Sequence, residues 1–330
     1  MKVQALTPSE IAAILERACA KREPLRSSTN ALRLVNSQGD DLPGIVVEQY
    51  GRHFVIHDFH KASETALESV IEYFRRHYDP EYLIVKHRYI EGGKEHDNRN
   101  IRVILHRSES QTIVTENGLR FHVDLNNTLN TGLFLDMRRT RKMVSELSRK
   151  KEVLNCFAYS CSFGVYCRAA KASRVVNIDV SAKILDKGKK NYALNGLNPR
   201  EHEFVLADAL RYLKGAAKRD NRFDCIILDP PTFARYQGKV FSITQAMPEL
   251  LCLAFSILKP GGNLLVATNC SAISGEMLKN EVLQCSKQAG REIKLMLPLE
   301  QDEDFPGSGT MKESFLSCML VKTGPNPPCE

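Results

Sequence analysis

The fold of this 330-residue chain is decided by the stretch Phe223-Asp-Cys-Ile-Ile-Leu-Asp-Pro-Pro-Thr-Phe233. Its part from Cys225 to Leu228 is apolar and contains two β-branched residues, as is typical of a strand buried on both faces of a parallel sheet. The strand must end at Asp229, because the two prolines that follow have no backbone N–H with which to continue a ladder. An acidic side chain is therefore predicted at the carboxyl edge of the sheet, where open α/β sheets bind their ligands.

Four other segments are predicted to be strands in the same part of the chain: residues 152–155, 174–179, 203–208 and 262–268. Two of them end in an acid, Asp179 and Asp208, and either acid alone is explained as readily by a cap on the following helix. Helical stretches separate the strands, and this alternation predicts a parallel, doubly wound sheet. The predicted fold class is α/β.

The acids at this sheet edge also indicate a cofactor. Asp179, after the second strand, is placed to accept hydrogen bonds from ribose hydroxyls, and Asp208 to accept them from an exocyclic adenine amine. A dinucleotide would need the pattern G-x-G-x-x-G after the first strand, but the turn there has Gly164 as its one glycine. Without a cradle for phosphates, the pattern favours S-adenosylmethionine, and together with Asp229 it favours a methyltransferase.

Five motifs make residues 31 to 322 similar to one known family: Gly39-Asp-Asp-Leu-Pro-Gly-Ile-Val-Val-Glu48, Thr131-Gly-Leu-Phe-Leu-Asp-Met-Arg138, Leu154-Asn-Cys-Phe-Ala-Tyr159, Asp229-Pro-Pro-Thr-Phe233 and Asn269-Cys-Ser271. They resemble the bacterial class I rRNA methyltransferases of the large-subunit cytosine-C5 type, although Asp-Pro-Pro-x-Phe alone is shared with guanine-modifying relatives. The resemblance implies a Rossmann-like class I methyltransferase sheet with a smaller N-terminal α+β domain. It also implies RNA, and ribosomal RNA in particular, as the substrate.

The resemblance further implies which residues hold the cofactor. In the family, the turn after the first strand holds the methionine part, and the segment that ends at Arg138 closes the pocket. The implied cofactor-binding residues are Asp136, Arg138, Asn155, Phe157, Ala158, Tyr159, Ser160, Ser162, Gly164, Asp179, Val180, Asp208, Ala209, Asp229 and Pro231.

The chain departs from the family pattern in three places. Cys161 stands where a glycine is expected, which would put a side chain where the backbone should approach the cofactor. Phe305 stands where relatives often carry histidine. Members of this type begin with an RNA-binding PUA domain, for which we expect this chain to have no room. We expect it to start at the connecting helix, where Thr7-Pro8-Ser9-Glu10 is a capping box.

The sequence divides into a predicted N-terminal α+β domain (1–125), a methyltransferase domain (126–324) and a tail (325–330). In the first domain we predict strands at 31–36, 45–50, 53–57, 82–85, 101–105 and 119–123, and a helix at 63–77. Glu116-Asn117-Gly118 is a strong hairpin signal. This domain is interpreted as a platform for RNA, with a purely structural cap as the alternative.

The composition favours an intracellular protein, and its mild basic excess alone is weak evidence for RNA. The net charge is +7, no apolar run approaches the ~20 residues of a membrane span, and the ten cysteines show no paired zinc spacing. We therefore expect reduced thiols, a cytoplasmic location and no metal. Predicted substrate contacts are Arg139 and Arg141 in a basic run, with Phe233 and Tyr236 as surfaces for an unstacked base. A homodimer would supply a second basic surface.

Two residues are predicted to be catalytic, Cys270 and Asp229. Carbon-5 of cytosine is a poor nucleophile, so a thiolate must add to carbon-6, and the resemblance assigns that thiolate to Cys270. Asp229 would hydrogen-bond the N3/N4 edge of the base. The alternative for Cys270 is an inert buried thiol.

Two other functions stay open. Asp229 and Phe233 could serve the methylation of an exocyclic amine or ring nitrogen without any cysteine. A non-catalytic RNA-binding factor on a methyltransferase fold is the second, because Cys161 would crowd the cofactor turn.

Overall fold

The structure, a computed structural model, describes residues 6–89, 101–127, 130–236, 239–307 and 316–325. The contacts divide the chain into two compact units. The first joins Met1–Arg139 to Gln301–Glu313, and the second joins Thr140–Glu300 to Ser314–Glu330. The first unit thus runs beyond residue 125, where the sequence analysis places its boundary, and takes in a segment from the C-terminal part.

The first unit is built on a five-stranded sheet of order β1-β2-β3-β4-β5 with a separate β6–β7 hairpin. Its elements are α1 (Pro8–Arg22), β1 (Ala31–Asn36), β2 (Ile45–Tyr50), β3 (His53–Asp58), α2 (Glu64–Tyr78), β4 (Tyr82–His87), β5 (Ile101–His106), β6 (Gln111–Glu116) and β7 (Leu119–Asp124). The predicted strands and helix are confirmed, and β6 is the strand that completes the predicted hairpin. Thr7 and Glu10 form the predicted capping box of α1.

The two helices of this unit cover one face of the sheet with apolar side chains, including Leu15 and Phe74. The other face is polar although it is buried. Arg33 lies 2.6 Å from Glu48 in an ion pair, and the Tyr50 hydroxyl donates to the same carboxylate at 3.0 Å. Burial favours the neutral acid, but Arg33 outweighs it and holds the pKa of Glu48 well below its usual value.

The C-terminal segment of the first unit supplies the carboxylates that pair with the buried Arg138. Arg138 Nη2 donates to Asp304 Oδ1 at 2.7 Å, and its Nε donates to Asp302 at 2.9 Å. The backbone N–H of Arg33 donates to Asp304 Oδ2 at 3.0 Å, and Arg22 donates to the Asp304 carbonyl at 3.2 Å. Asp304 is fully buried. A single aspartate therefore joins three parts of the unit.

The second unit is a seven-stranded sheet of order β10-β9-β8-β11-β14-β16-β15, flanked by helices. Its elements are α3 (Arg138–Leu147, which begins in the first unit), β8 (Glu152–Cys156), α4 (Ser162–Ala169), β9 (Arg174–Asp179), α5 (Ala182–Leu194), β10 (Phe204–Leu206), α6 (Ala209–Lys218), β11 (Phe223–Leu228), β12 (Phe233–Tyr236), β13 (Lys239–Ser242), α7 (Ile243–Ile257), β14 (Leu258–Thr268), α8 (Gly275–Gln288), β15 (Ile293–Pro298) and β16 (Ser317–Thr323). The first five strands in that order are parallel, and β16 is antiparallel to its neighbours. The predicted doubly wound α/β sheet is confirmed.

Two of the predicted strands differ from the observed ones in their bounds. The strand predicted at 203–208 is shortened to β10, because Asp208 caps the next helix. β14 begins at Leu258, before the start predicted for it at residue 262. Phe223 pairs with Leu258 and Cys225 pairs with Asn263, so the Pro-Gly-Gly turn is a bulge within the strand.

The prediction that all the thiols are reduced is wrong for one pair. Cys252 of α7 and Cys285 of α8 form a disulfide, with their Cα atoms 4.7 Å apart. The two residues are 33 positions apart in the sequence, and they meet because α7 and α8 pack against each other. Seven cysteines are free in the part of the chain that the structure describes, and all seven are buried.

We expect Asp304→Ala to lower the free energy of unfolding by about 3–5 kcal/mol, because it leaves the buried Arg138 guanidinium without its main counter-ion. Asp302→Ala is the matched control, since the Asp302 side chain is 20% exposed and Arg138 keeps Asp304 in that variant, so the loss is expected to be smaller. Urea unfolding of the two variants measures both values. Equal losses would contradict a special role for Asp304.

Candidate active site

The register of the parallel strands brings four strand ends to one edge of the second unit. Cys156 lies opposite Ile178 on one side and Leu228 on the other, and Leu228 lies opposite Val266. The segments that follow β9, β8, β11 and β14 therefore leave the sheet side by side. These segments contain most of the residues that the sequence predicts to be functional.

The turn after β8 has an unusual backbone. Phe157, Tyr159 and Cys161 all have positive φ angles, of 57°, 49° and 58°, which are left-handed conformations that glycine adopts more easily. Hydrogen bonds hold this turn against β9. The Ala158 N–H donates to the Ile178 carbonyl at 2.8 Å.

Asp179 is the residue that fixes the turn from the end of β9. Its two carboxylate oxygens accept the backbone N–H groups of Tyr159 and Ser181, each at 3.0 Å. Burial raises the pKa of Asp179, and the two N–H groups oppose that shift. Each carboxylate oxygen has a second lone pair. The half-buried carboxylate can therefore still accept a hydroxyl hydrogen bond, which fits a ribose.

The Cys161 side chain lies against α5. It is fully buried, and its Sγ donates a weak hydrogen bond to the Tyr159 carbonyl at 3.6 Å. A Cβ atom on Gly188 of α5 would overlap Cys161 Sγ. The thiol therefore fills the space that Gly188 leaves open, and the absence of a side chain at Gly188 accommodates the departure from the family pattern.

A buried polar network lies beneath the turn and includes two of the predicted cofactor residues. Asn155 Nδ2 donates to Asn177 Oδ1 at 3.0 Å, and Asn177 Nδ2 donates to the Tyr192 hydroxyl at 3.0 Å. A Cβ on Gly164 would overlap Asn177 Oδ1, so this glycine allows α4 to approach the network closely. Asn155 and Gly164 thus contribute to the packing beneath the turn, and direct contact of either residue with a cofactor stays a prediction.

The other predicted cofactor residues of this unit surround the same edge. Asp208 caps α6 by accepting the Arg211 N–H at 2.9 Å, so the cap predicted as the alternative for this acid is present. Ala158, Ser160 and Ala209 are buried. Ser162, Val180 and Asp229 are half-buried, and Pro231 is exposed.

Asp136 and Arg138 belong to the first unit. Asp136 is half-buried in a short 3-10 turn, Leu135–Met137. Arg138 is 2% exposed, and its guanidinium is bonded to Asp302 and Asp304.

The predicted substrate residues are exposed to very different degrees. Phe233 is 69% exposed, and Arg139 is also exposed. Arg141 is 1% exposed, with its guanidinium 5.9 Å from the centre of the Tyr166 ring, so the surface position predicted for it is wrong. It shares the buried face of α3 because it precedes the buried Val144 by three residues. Tyr236 lies in β12, but its side chain is outside the described residues.

A hydrogen bond joins the segments that follow β11 and β14. The Thr232 hydroxyl donates to Asn269 Oδ1 at 2.7 Å, which brings the two motifs into contact. The sequence analysis missed this bond, for which the adjacency of the two strands was the available signal. Cys270 is next to it, 4% exposed and packed with the hydrophobic core.

In the described part of the chain, no group of three or more His, Cys, Asp or Glu side chains could hold a metal ion. Nor is any helix there long and apolar enough to cross a membrane.

Residues 78–312 match the family model for S-adenosylmethionine-dependent methyltransferases. The chain is 30% identical over 312 residues to ribosomal RNA large subunit methyltransferase I of Aeromonas salmonicida, covering 93% of this chain and 78% of that protein. It is 29% identical to the protein of the same name from Shewanella amazonensis, covering 97% and 82%.

Solved structures share the fold. A methyltransferase crystallised with SAH has a TM-score of 0.85 and 23% identity, covering 98% of this chain and 83% of that one. A SAM-dependent methyltransferase from Agrobacterium tumefaciens has a TM-score of 0.67 and 18% identity, covering 90% of each chain.

We expect Gly188→Ala to destabilise the protein by about 1–3 kcal/mol, because the new methyl overlaps Cys161 Sγ. In a Cys161→Gly background the same change should be neutral or should stabilise α5 by up to about 1 kcal/mol. Thermal or urea unfolding of the four proteins in this cycle measures the coupling.

The matched control is Gly215→Ala on α6, where a Cβ would meet the flexible end of Arg219 at 3.1 Å. This change should cost little in either background. Additive effects at positions 161 and 188 would show that the two residues are not packed as described.

Proposed function

Because the chain belongs to the S-adenosylmethionine-dependent methyltransferase family, we propose that it methylates a base of large-subunit ribosomal RNA. Its cofactor is S-adenosylmethionine. The observation that carries the proposal is the exposed Phe233, which follows Asp229 at the sheet edge that also carries Asp179. An aromatic surface beside an acid suits an unstacked base, and the curated relatives bear the name of ribosomal RNA methyltransferases.

The residues at the sheet edge fit S-adenosylmethionine. Asp179 would accept hydrogen bonds from the ribose hydroxyls, and the Oδ2 of Asp208 would accept one from the adenine amine, since its Oδ1 caps α6. The turn from Phe157 to Ser162 would face the methionine part. When bound, the cofactor supplies an electrophilic methyl group on a sulfonium.

The finer proposal is that the product is 5-methylcytosine, with Cys270 as the nucleophile. Its thiolate adds to carbon-6 of the ring, and the electron pair of the 5,6 double bond makes carbon-5 nucleophilic. Carbon-5 would then take the methyl group as its bond to the sulfonium breaks and the thioether leaves. A base would remove the carbon-5 proton, the double bond would re-form and the thiolate would leave carbon-6. Asp229 would hold the N3/N4 edge during these steps.

A second candidate is methylation of an exocyclic amine or ring nitrogen. The deep burial of Cys270 and the high exposure of Phe233 favour it, because stacking on Phe233 and a hydrogen bond to Asp229 need no thiol. The third reading, a non-catalytic RNA-binding factor, is weakened by the position of the Cys161 side chain against α5. A homodimer and a cytoplasmic location stay predictions.

We expect Asp179→Ala to weaken S-adenosylmethionine binding about tenfold to a hundredfold, since loss of a charged acceptor costs roughly 1.5–3 kcal/mol. Titration calorimetry measures the affinity. Asp186→Ala is the matched control, because the Asp186 side chain is 66% exposed on α5 and pairs with Lys189 on the same helix. Equal affinity in the Asp179 variant and the wild type would remove Asp179 from the cofactor site.

We expect Cys270→Ala to abolish methyl transfer while S-adenosylmethionine affinity stays within about twofold, because the thiol acts on the base. Wild-type protein should form a covalent complex with rRNA that carries 5-fluorocytosine, since fluorine cannot leave as a proton does. Gel analysis detects the complex. Mass-spectrometric mapping of rRNA from cells that carry the variant alone should show one nucleotide without its methyl group.

Cys318→Ala is the matched control, since Cys318 is a free cysteine that is 6% exposed on β16. It should retain both activity and the covalent complex. An active Cys270→Ala protein would instead support methylation of nitrogen.

A further inference from the structure

We propose that Cys252 and Cys285 form a reversible redox site, whose disulfide is reduced by small dithiols and re-formed by hydrogen peroxide. The two residues lie on α7 and α8, within the second unit. The inference goes beyond the proposed function, because it concerns these two helices and requires no particular methyl acceptor. It implies two folded forms of the protein that differ in thermal stability.

The packing of α7 and α8 does not depend on the disulfide. Both helices belong to one hydrophobic core, which also includes the central strands of the sheet. Five of their large side chains are fully buried in it: Leu250, Leu251 and Phe255 of α7, and Leu278 and Val282 of α8. These contacts remain when the S–S bond is broken, so we expect the reduced protein to keep the two helices in place.

Both sulfur atoms lie beside oxygen atoms that can accept a hydrogen bond from a thiol. Cys252 Sγ lies 3.1 Å from Gln288 Oε1, and Cys285 Sγ lies 3.2 Å from the Pro248 carbonyl oxygen. A disulfide sulfur has no hydrogen, so neither contact is a hydrogen bond while the pair is oxidised. Reduction gives each sulfur a hydrogen, with its acceptor already in place. The site therefore accommodates two thiols as well as one disulfide.

The spacing of residues along the helices explains this arrangement. Pro248 precedes Cys252 by four residues on α7, and Gln288 follows Cys285 by three residues on α8. Residues at these spacings lie one helical turn apart on the same side of a helix. Each helix therefore brings to the contact a cysteine of its own and an acceptor for the cysteine of the other helix.

The two sulfur atoms differ in their access to solvent. Cys285 is 1% exposed, whereas Cys252 is half-buried and the neighbouring Gln288 is exposed. A thiolate of the dithiol therefore attacks Cys252 Sγ, the S–S bond breaks, and Cys285 leaves as a thiolate that takes up a proton. The second thiol of the reagent then attacks the reagent's own sulfur in the mixed disulfide. Cys252 leaves as a thiol, and the reagent has lost two electrons to the protein and become a disulfide.

Hydrogen peroxide reverses this change. The Cys252 thiolate attacks one peroxide oxygen, the O–O bond breaks, and hydroxide leaves and is protonated to water. Cys285 then attacks the sulfur of the Cys252 sulfenic acid, the S–O bond breaks, and a second water leaves. The peroxide gains the two electrons that the thiols lose.

The test compares the full chain after treatment with dithiothreitol and after removal of that reagent and treatment with stoichiometric hydrogen peroxide. The reduced protein should unfold at a temperature lower by on the order of 5 °C, because no bond then restrains the unfolded chain across these 33 positions. Peroxide should restore the higher temperature. Cys252→Ser should show no difference between the treatments. The matched control is Cys19→Ser, at a free cysteine 7% exposed on α1, which should show the same difference as the wild type.

A pulse of iodoacetamide, with the label located by peptide mass spectrometry, shows which sulfur a reagent reaches. In the folded, reduced wild type the label should be on Cys252 and not on Cys285, and after peroxide it should be on neither. Label on Cys285 ahead of Cys252 would overturn the order of attack. The reversible site is refuted by an unchanged unfolding temperature, by an unlabelled Cys252 after reduction, or by loss of the folded state on reduction. None of these results tests methyl transfer, so the proposed function stands or fails separately.

Discussion

The alignment of the carboxyl ends of β9, β8, β11 and β14 is the constraint on which the candidate site depends. In a parallel sheet each strand must return through a helix, so every functional segment begins at the same edge. A shift of one residue in any pairing would turn the side chains of that strand to the opposite face. The two prolines after Asp229 prevent such a shift on one side, because the ladder cannot extend into them.

Hydrogen bonds to neighbouring segments stabilise the turn after β8 at this edge of the sheet. Phe157, Tyr159 and Cys161, at every second position of the turn, have left-handed backbone conformations. Each such conformation costs on the order of 1 kcal/mol for a residue other than glycine. The hydrogen bonds that the Tyr159 N–H donates to Asp179 and the Ala158 N–H donates to the Ile178 carbonyl offset this cost. The same carboxylate thus shapes the turn and would offer the proposed cofactor an acceptor that is already oriented.

Much of this fold could be predicted from the sequence because strand periodicity, capping residues and prolines act locally. The central strands and α1 were predicted for that reason. What could not be predicted depends on packing between distant residues. The direction of the Cys161 side chain depends on Gly188, and the burial of Arg141 depends on its position beside the Tyr166 ring of α4. The Cys252–Cys285 pair depends on the contact of α7 with α8.

The dependence of the first unit on Asp304 has a consequence for protein synthesis. A ribosome releases residues at about 5–20 per second, and N-terminal domains usually fold before the rest of the chain emerges. Here Arg138 emerges long before Asp304, its counter-ion in the folded unit. The first unit therefore cannot complete this buried ion pair until almost the whole chain has been translated. A chain that ended earlier would leave the Arg138 guanidinium without that carboxylate.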